Sequence, residues 1–194
     1  SAENYLFNTF GCPDVCIHLA WRDGFSHNSD SHMNFLSSHY EFIKNMIDSG
    51  LKHLVVMGSM HEIGYHEGMV DENTPCNPIS MYGIAKDALR RSVFALSKRH
   101  DFIVQWLRGF YVYGDDEHNH SIFTKILQAE KNGQKTFPFT SGKNLYDFIH
   151  VDELAQMVVA CALQDRVTGI INCCSGKPIS LATKVEMFIN ENNL

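Results

Sequence analysis

The sequence lacks a CxxC pair, a long apolar run and a basic stretch, and each absence excludes something. Its six cysteines (Cys12, Cys16, Cys76, Cys161, Cys173 and Cys174) are scattered over 194 residues. Scatter without paired spacing reads as free thiols in a reducing compartment, not as a disulfide framework. No run approaches the ~20 apolar residues of a membrane-spanning helix, and no charged-then-apolar signal segment opens the chain. A cytoplasmic location is therefore expected. The formal net charge of -6 gives no general attraction for nucleic acid or an acidic membrane, so neither is expected as a partner. With 44% hydrophobic and 20% charged residues, the composition suits a globular domain with a core of useful size.

What is present alternates short apolar runs with longer periodic segments. Residues 14–20 (DVCIHLA) and 53–57 (HLVVM) read as buried strands, as does the run from Phe102 to Leu107. The run over 53–57 is nearly all apolar, as expected in a sheet covered on both faces. Helical spacing predicts helices over 35–48, closed by Gly50, and over 81–99, with Ser80 as N-cap. Phe35, Tyr40 and Phe42 fall on the core side. Strand–helix–strand order implies right-handed crossovers and a parallel sheet. Beyond Gly114 the pattern predicts helices over 121–132, 151–164 and 181–192, a strand over 169–173 and a short strand over 136–139.

A dinucleotide fold opens with a strand, a glycine-rich turn and a helix whose N-terminus holds the pyrophosphate. No GxGxxG or GxxGxxG occurs in the sequence. The first strands and that loop, on the order of 50–60 residues, are expected to be missing.

Chemistry concentrates at Tyr82-Gly83-Ile84-Ala85-Lys86. Tyr and Lys at i and i+4 lie on one helix face. A neighbouring ammonium favours the phenolate and makes the phenol a better base. On spacing alone the pair is common on exposed helices. Its context is more specific, because the strand ending in Gly58-Ser59 places a hydroxyl at the carboxyl end of the sheet, where ligands of such folds sit.

Together these stretches resemble the extended short-chain dehydrogenase/reductases of the NAD-dependent epimerase/dehydratase family, which modify nucleotide sugars. Lys52–Ser59 resembles the family's strand ending in the catalytic hydroxyl, and Asp71–Lys86 its approach to the Tyr-xxx-Lys helix. Leu107–Gly114 looks like its "RpfNvYG" segment, Asp147–Leu154 like "DfihVdDla", and Ile17–Ala20 like its "iHlA" strand end. The resemblance implies a Rossmann-type, doubly wound parallel α/β sheet, its first βαβ unit apparently missing, with a small α/β substrate-binding part. Residues 1–114 would form the dinucleotide-binding domain and 115–194 mainly the substrate part, with 147–175 returning to the sheet. It further implies NAD or NADP as cofactor, a nucleotide-sugar substrate, and a homodimer through the helices over 35–48 and 81–99. Tyr82 would be the acid/base, Lys86 would hold the nicotinamide ribose, and Ser59 would bond the reacting sugar oxygen. His18, Ala20, Asn34, Gly58 and Phe110 match positions lining the cofactor, the small Ala20 and Gly58 allowing close approach.

The departures refine this. Gly109 and Tyr111 stand where the family has Pro and Asn, and Tyr146 where it has Arg. In many members those positions hold the nucleotide, and Tyr for Arg removes a bidentate phosphate binder. Trp21 is larger than usual. Met60-His61 replaces the Asp-Glu pair of dehydratases, which argues against dehydration. His61 reads either as a proton carrier, partnered by Asp116, His118 or His120, or as a loop histidine bonded to backbone. His118 and His120 beside Asp115–Glu117 offer metal-ligand chemistry, but no third His or Cys stands at useful spacing, and no metal is expected. The sum predicts hydride-transfer modification of a nucleotide sugar, by an epimerase or a 4-keto-deoxysugar reductase. The alternatives are a non-catalytic binding relative, or an inactive fragment without its phosphate loop.

Overall fold

The computed structural model describes residues 5–114 and 121–194. The chain divides into two compact units, Ser1–Gly109 with Gln156–Cys173, and Phe110–Ala155 with Cys174–Leu194.

The first unit is built on a parallel sheet of β1 (Val15–His18), β2 (His53–Ser59), β3 (Ile103–Gly109) and β7 (Gly169–Cys173), in the order β1-β2-β3-β7. The apolar runs pair in register, Ile17 with Val55, Val56 with Trp106, and Leu107 with Ile171. Helix α1 (Tyr5–Thr9) precedes the sheet, and α2 (Ser31–Asn34), α3 (Leu36–Asp48) and α4 (Met81–Ser97) belong to its crossovers. Ile43, Met46 and Ile47 of α3 and Leu89, Val93 and Leu96 of α4 pack with Leu54, Val56, Val104 and Trp106 into one core. Each such side chain contributes about 1.5–3 kcal/mol by leaving water. A buried polar exception, Gln105, accepts at Oε1 from His53 Nε2–H at 2.9 Å and donates to the carbonyls of Gln164 and Val167, which ties β3 to the chain entering β7.

The second unit contains β4 (Tyr111–Tyr113) paired in parallel with β6 (Phe148–His150), and β5 (Leu145–Tyr146) paired antiparallel with β8 (Ile179–Ser180). Helices α5 (Ile122–Lys131) and α7 (Leu181–Asn192) bring Phe123, Ile126 and Val185 together. Helix α6 (Val151–Ala162) runs across the division between the units. No helix of the described residues is long and apolar enough to cross a membrane.

The strand expected over 136–139 does not form. Pro138 lacks the N–H that a ladder needs, and the pairing falls instead to Leu145–Tyr146 with Ile179–Ser180. The helix expected from Phe35 begins as a separate turn at Ser31 and restarts at Leu36. Phe35 is not core. It is 41% exposed and lies under the Arg22 guanidinium. Helix α6 stops before Gln164 because that side chain accepts from the N–H groups of Arg166 and Val167, both at 2.8 Å, and turns the chain.

Candidate active site

The site is assembled within the first unit, at the carboxyl end of β2. Ser59 ends the strand and caps a single 3₁₀ turn, Met60–Glu62. Its Oγ accepts from His61 N–H at 3.2 Å, and its own N–H donates to Glu62 Oε1 at 2.8 Å. These reciprocal bonds fix the serine hydroxyl in place. Glu62 is fully buried and also accepts from Trp106 Nε1 at 2.8 Å and pairs with Arg90 and Arg108. Burial pushes its carboxyl up from the ordinary value, while these donors pull against that rise. The absent side chain of Gly58 matters for the same network. A Cβ there would run into Trp106 and Glu62, so the glycine makes room for the interior rather than for a ligand's approach.

Helix α4 carries the second half. Ser80 Oγ accepts from Gly83 N–H at 3.2 Å, as an N-cap should. The remaining free N–H groups of the first turn go to the loop after β1: Tyr82 N–H donates to the His27 carbonyl at 2.8 Å, and Met81 N–H to Asn28 Oδ1 at 3.3 Å. Gly83 lets this helix start sit against the 3₁₀ turn, because any Cβ there would meet the His61 carbonyl. The Tyr82 side chain is thereby hydrogen-bonded to that of Ser59.

The expectation that Lys86 makes Tyr82 more acidic is not met. Burial holds the Tyr82 phenol above its ordinary value, against the Ser59 hydrogen bond and with the added repulsion of Glu62. Lys86 is 2% exposed, and burial lowers its amine to about 7. Its Nζ donates to the Met57 carbonyl at 2.7 Å and lies 5.8 Å from the Tyr82 ring centre. The amine is thus close to Tyr82 but poorly able to keep a charge.

Around the pair stands a cluster of imidazoles and one indole. His27 stacks on Tyr82 with ring centres 5.5 Å apart and 16° between planes, and His61 lies 4.2 Å from His27 and 5.6 Å from Tyr82. Burial, then His27, brings His61 down to about 4, so it is neutral near pH 7. His18 and His39 share a 3.2 Å contact, and both are lowered first by burial, His18 to about 4. Trp21 stacks on His39 at 4.4 Å and 8°. Sequence reasoning missed His27 and His32 as members of this cluster. No motif marks them, since the loop after β1 brings His27, and α2 brings His32, to Tyr82 across 55 and 50 positions of chain.

Ser59, His61, Tyr82 and Lys86 are therefore brought together, with His18 close enough for the charge of Lys86 to act on it. Ala20 lines a hollow of about 460 Å³ with Trp21, Arg22, Phe35, Ser38 and His39. Asn34 is exposed at the end of α2. Phe110, Tyr111 and Tyr146 belong to the second unit. There the Tyr111 and Tyr146 rings lie 4.3 Å apart, and burial together with Tyr146 pushes Tyr111 up to about 12. Asp116, His118 and His120 lie outside the described residues. No cluster of three or more metal-ligating side chains occurs among the described residues.

The family model of the NAD dependent epimerase/dehydratase family matches residues 3–174. A dTDP-6-deoxy-L-talose 4-dehydrogenase (NAD(+)) from Aggregatibacter actinomycetemcomitans is 48% identical over 182 residues, which is 93% of this chain and 67% of that protein. In fold, the chain resembles a UDP-N-acetylglucosamine 4-epimerase from Methanobrevibacter ruminantium M1 in complex with UDP-N-acetylmuramic acid (TM-score 0.81, 21% identity, 100% of this chain and 64% of that one). It also resembles TunA, an NAD dependent-NDP-hexosamine 5,6-dehydratase (TM-score 0.83, 19% identity, 96% of this chain and 63% of that one). The chain spans about two thirds of the length of these relatives.

Proposed function

The chain belongs to the NAD dependent epimerase/dehydratase family, and on that premise we propose that it carries the catalytic centre of an NAD-dependent enzyme that oxidises or reduces a nucleotide-linked 6-deoxyhexose at C4. The observation that carries the reading is the placing of the Ser59 hydroxyl, the Tyr82 phenol and the Lys86 amine at one strand end and one helix face.

Each group has a task. As the phenolate, Tyr82 takes the proton from the sugar hydroxyl in oxidation; as the phenol, it gives that proton to the carbonyl oxygen in reduction. Ser59 Oγ accepts from His61 N–H, and its O–H, hydrogen-bonded to Tyr82, turns to the same sugar oxygen as Tyr82 when substrate binds. Lys86 holds the ribose hydroxyls of the nicotinamide half, and its charge, fixed by that engagement, offsets the burial that otherwise keeps Tyr82 protonated. When bound, the dinucleotide supplies the hydride acceptor or donor. The phenol and amine one turn apart, beside a hollow lined by Ala20 and Trp21, fit the nicotinamide end. A glycine-rich turn for the pyrophosphate does not occur in the sequence. NAD rather than NADP, a dTDP-linked sugar, and C4 as the reacting carbon are taken from the 48% identical relative.

Dehydration is disfavoured on local grounds. Eliminating water needs an acid for the departing hydroxyl. The residues that follow Ser59 in the chain are Met60, a neutral His61 and a Glu62 turned into the interior network. A homodimer through α3 and α4 is part of the reading. Ile79, just before α4, and Met81 and Ile84 in its first turns are exposed, and sedimentation decides the point.

The test begins with calorimetric titration of NAD(H) and NADP(H) into the 194-residue chain, beside a chain extended upstream in its own reading frame. The binding form is then given dTDP-6-deoxy-L-talose with NAD⁺. Stoichiometric NADH formation supports a dehydrogenase, and a changed sugar without net NADH an epimerase. Turnover that persists undiminished in Tyr82→Phe refutes the mechanism.

A further inference from the structure

A buried ammonium is ordinarily met by a carboxylate. Lys86 is met differently. One N–H goes to the Met57 carbonyl. Glu62 acts on it through its field while being engaged by Ser59, Trp106, Arg90 and Arg108. The group against Nζ is the face of Trp21, whose ring centre lies 4.0 Å away. That distance is well inside the range of cation–π attraction, which is strongest for indole.

The indole is held from several sides. Its Nε1–H donates to His32 Nδ1 at 3.1 Å, its plane stacks on His39, and Tyr82 meets it edge-on at 6.1 Å and 77°. An indole N–H can only donate, so His32 Nδ1 accepts, and its Nε2 carries the proton given to the Ser26 carbonyl at 3.0 Å. His32 is itself buried. The titratable groups that bear on Lys86 are His18 from β1, His39 from α3, Tyr82 from α4 and Glu62 from the 3₁₀ turn. Both imidazoles are lowered by burial and offer no negative charge.

We propose that Trp21 is the positioning residue of Lys86: its indole face, braced by His32 and His39, holds the ammonium in place of a carboxylate and keeps it one helical turn from Tyr82. A carboxylate would consume N–H groups in directed bonds. A π face does not, and it leaves the N–H groups not given to Met57 for a ligand's hydroxyls. That last use rests on the function proposed above, whereas the placement of Lys86 does not.

The test needs neither nucleotide nor sugar. Lysine side chains carrying ¹³C at Cε are titrated by NMR in the wild-type chain, in Lys86→Met for assignment, and in Trp21→Leu, Trp21→Met and Trp21→Tyr. Losing the π face should shift the protonation equilibrium of Lys86 toward the neutral amine by about three- to tenfold. Tyr at position 21 should restore part of the shift. An unchanged Lys86 midpoint in Trp21→Leu or Trp21→Met, whichever gives a native amide spectrum, overturns the assignment. Loss of sugar turnover with a shifted midpoint would leave it standing.

Discussion

Replacing Lys86 by Met should stabilise the chain most at low pH, and the pH dependence carries the argument. Lys86 titrates near 7 in the fold because burial penalises its charge, against an ordinary value of 10.5. Between those two values the unfolded chain holds a proton that the folded chain does not, so stability rises with pH across the window. Below about 7 both states are protonated and the full cost of burying the ammonium is in force; above 10.5 it is gone. The difference of about 3.5 units corresponds to about 5 kcal/mol at most. Met fills nearly the same space without a charge. Its loss of the bond to the Met57 carbonyl is an offset of about 1 kcal/mol that does not change with pH. Urea denaturation of both proteins from roughly pH 6.5 to 9.5 should show the advantage of Lys86→Met shrinking by about 3 kcal/mol over that range. Parallel stability curves would show that Lys86 keeps its charge at no cost and would refute the account of its burial.

Tyr82→Phe removes the proton carrier but little packing, and should lower turnover about 10²–10⁴-fold with unfolding unchanged, as read by NADH absorbance and thermal melts. Glu62→Gln leaves the Arg108 guanidinium, 1% exposed, without its counter-charge. A loss of about 3 kcal/mol in urea is expected, partly recovered when Arg108→Met is added. Gly83→Ala would ordinarily favour a helix, yet here the Cβ meets the His61 carbonyl. It should instead cost about 1–3 kcal/mol and depress kcat, because the helix start is forced off the turn that holds Ser59.

Much of the fold was legible because its signals are local. The largely apolar runs at 53–57 and 169–173 lie within the parallel strands, as expected of strands covered on both faces. Ser80 caps α4 as its residue type suggests. Errors arose where a local signal had a tertiary competitor. Residues 136–139 had strand-like composition but no partner, and Phe35 had core chemistry but lay at a break between helices.

That Tyr82 and Lys86 share a helix face and that Ser59 ends a strand can be read from residue order alone, because 3.6 residues per turn and the order of elements require nothing beyond near neighbours. Which charges those groups can hold depends instead on packing between distant segments. The loop that brings His27 and Trp21 to α4 is far from it in sequence. The neutral state of His61, the lowered amine of Lys86 and the raised phenol of Tyr82 all follow first from burial. Desolvation depends on every atom that displaces water around a group, and those atoms come from segments that no local pattern connects.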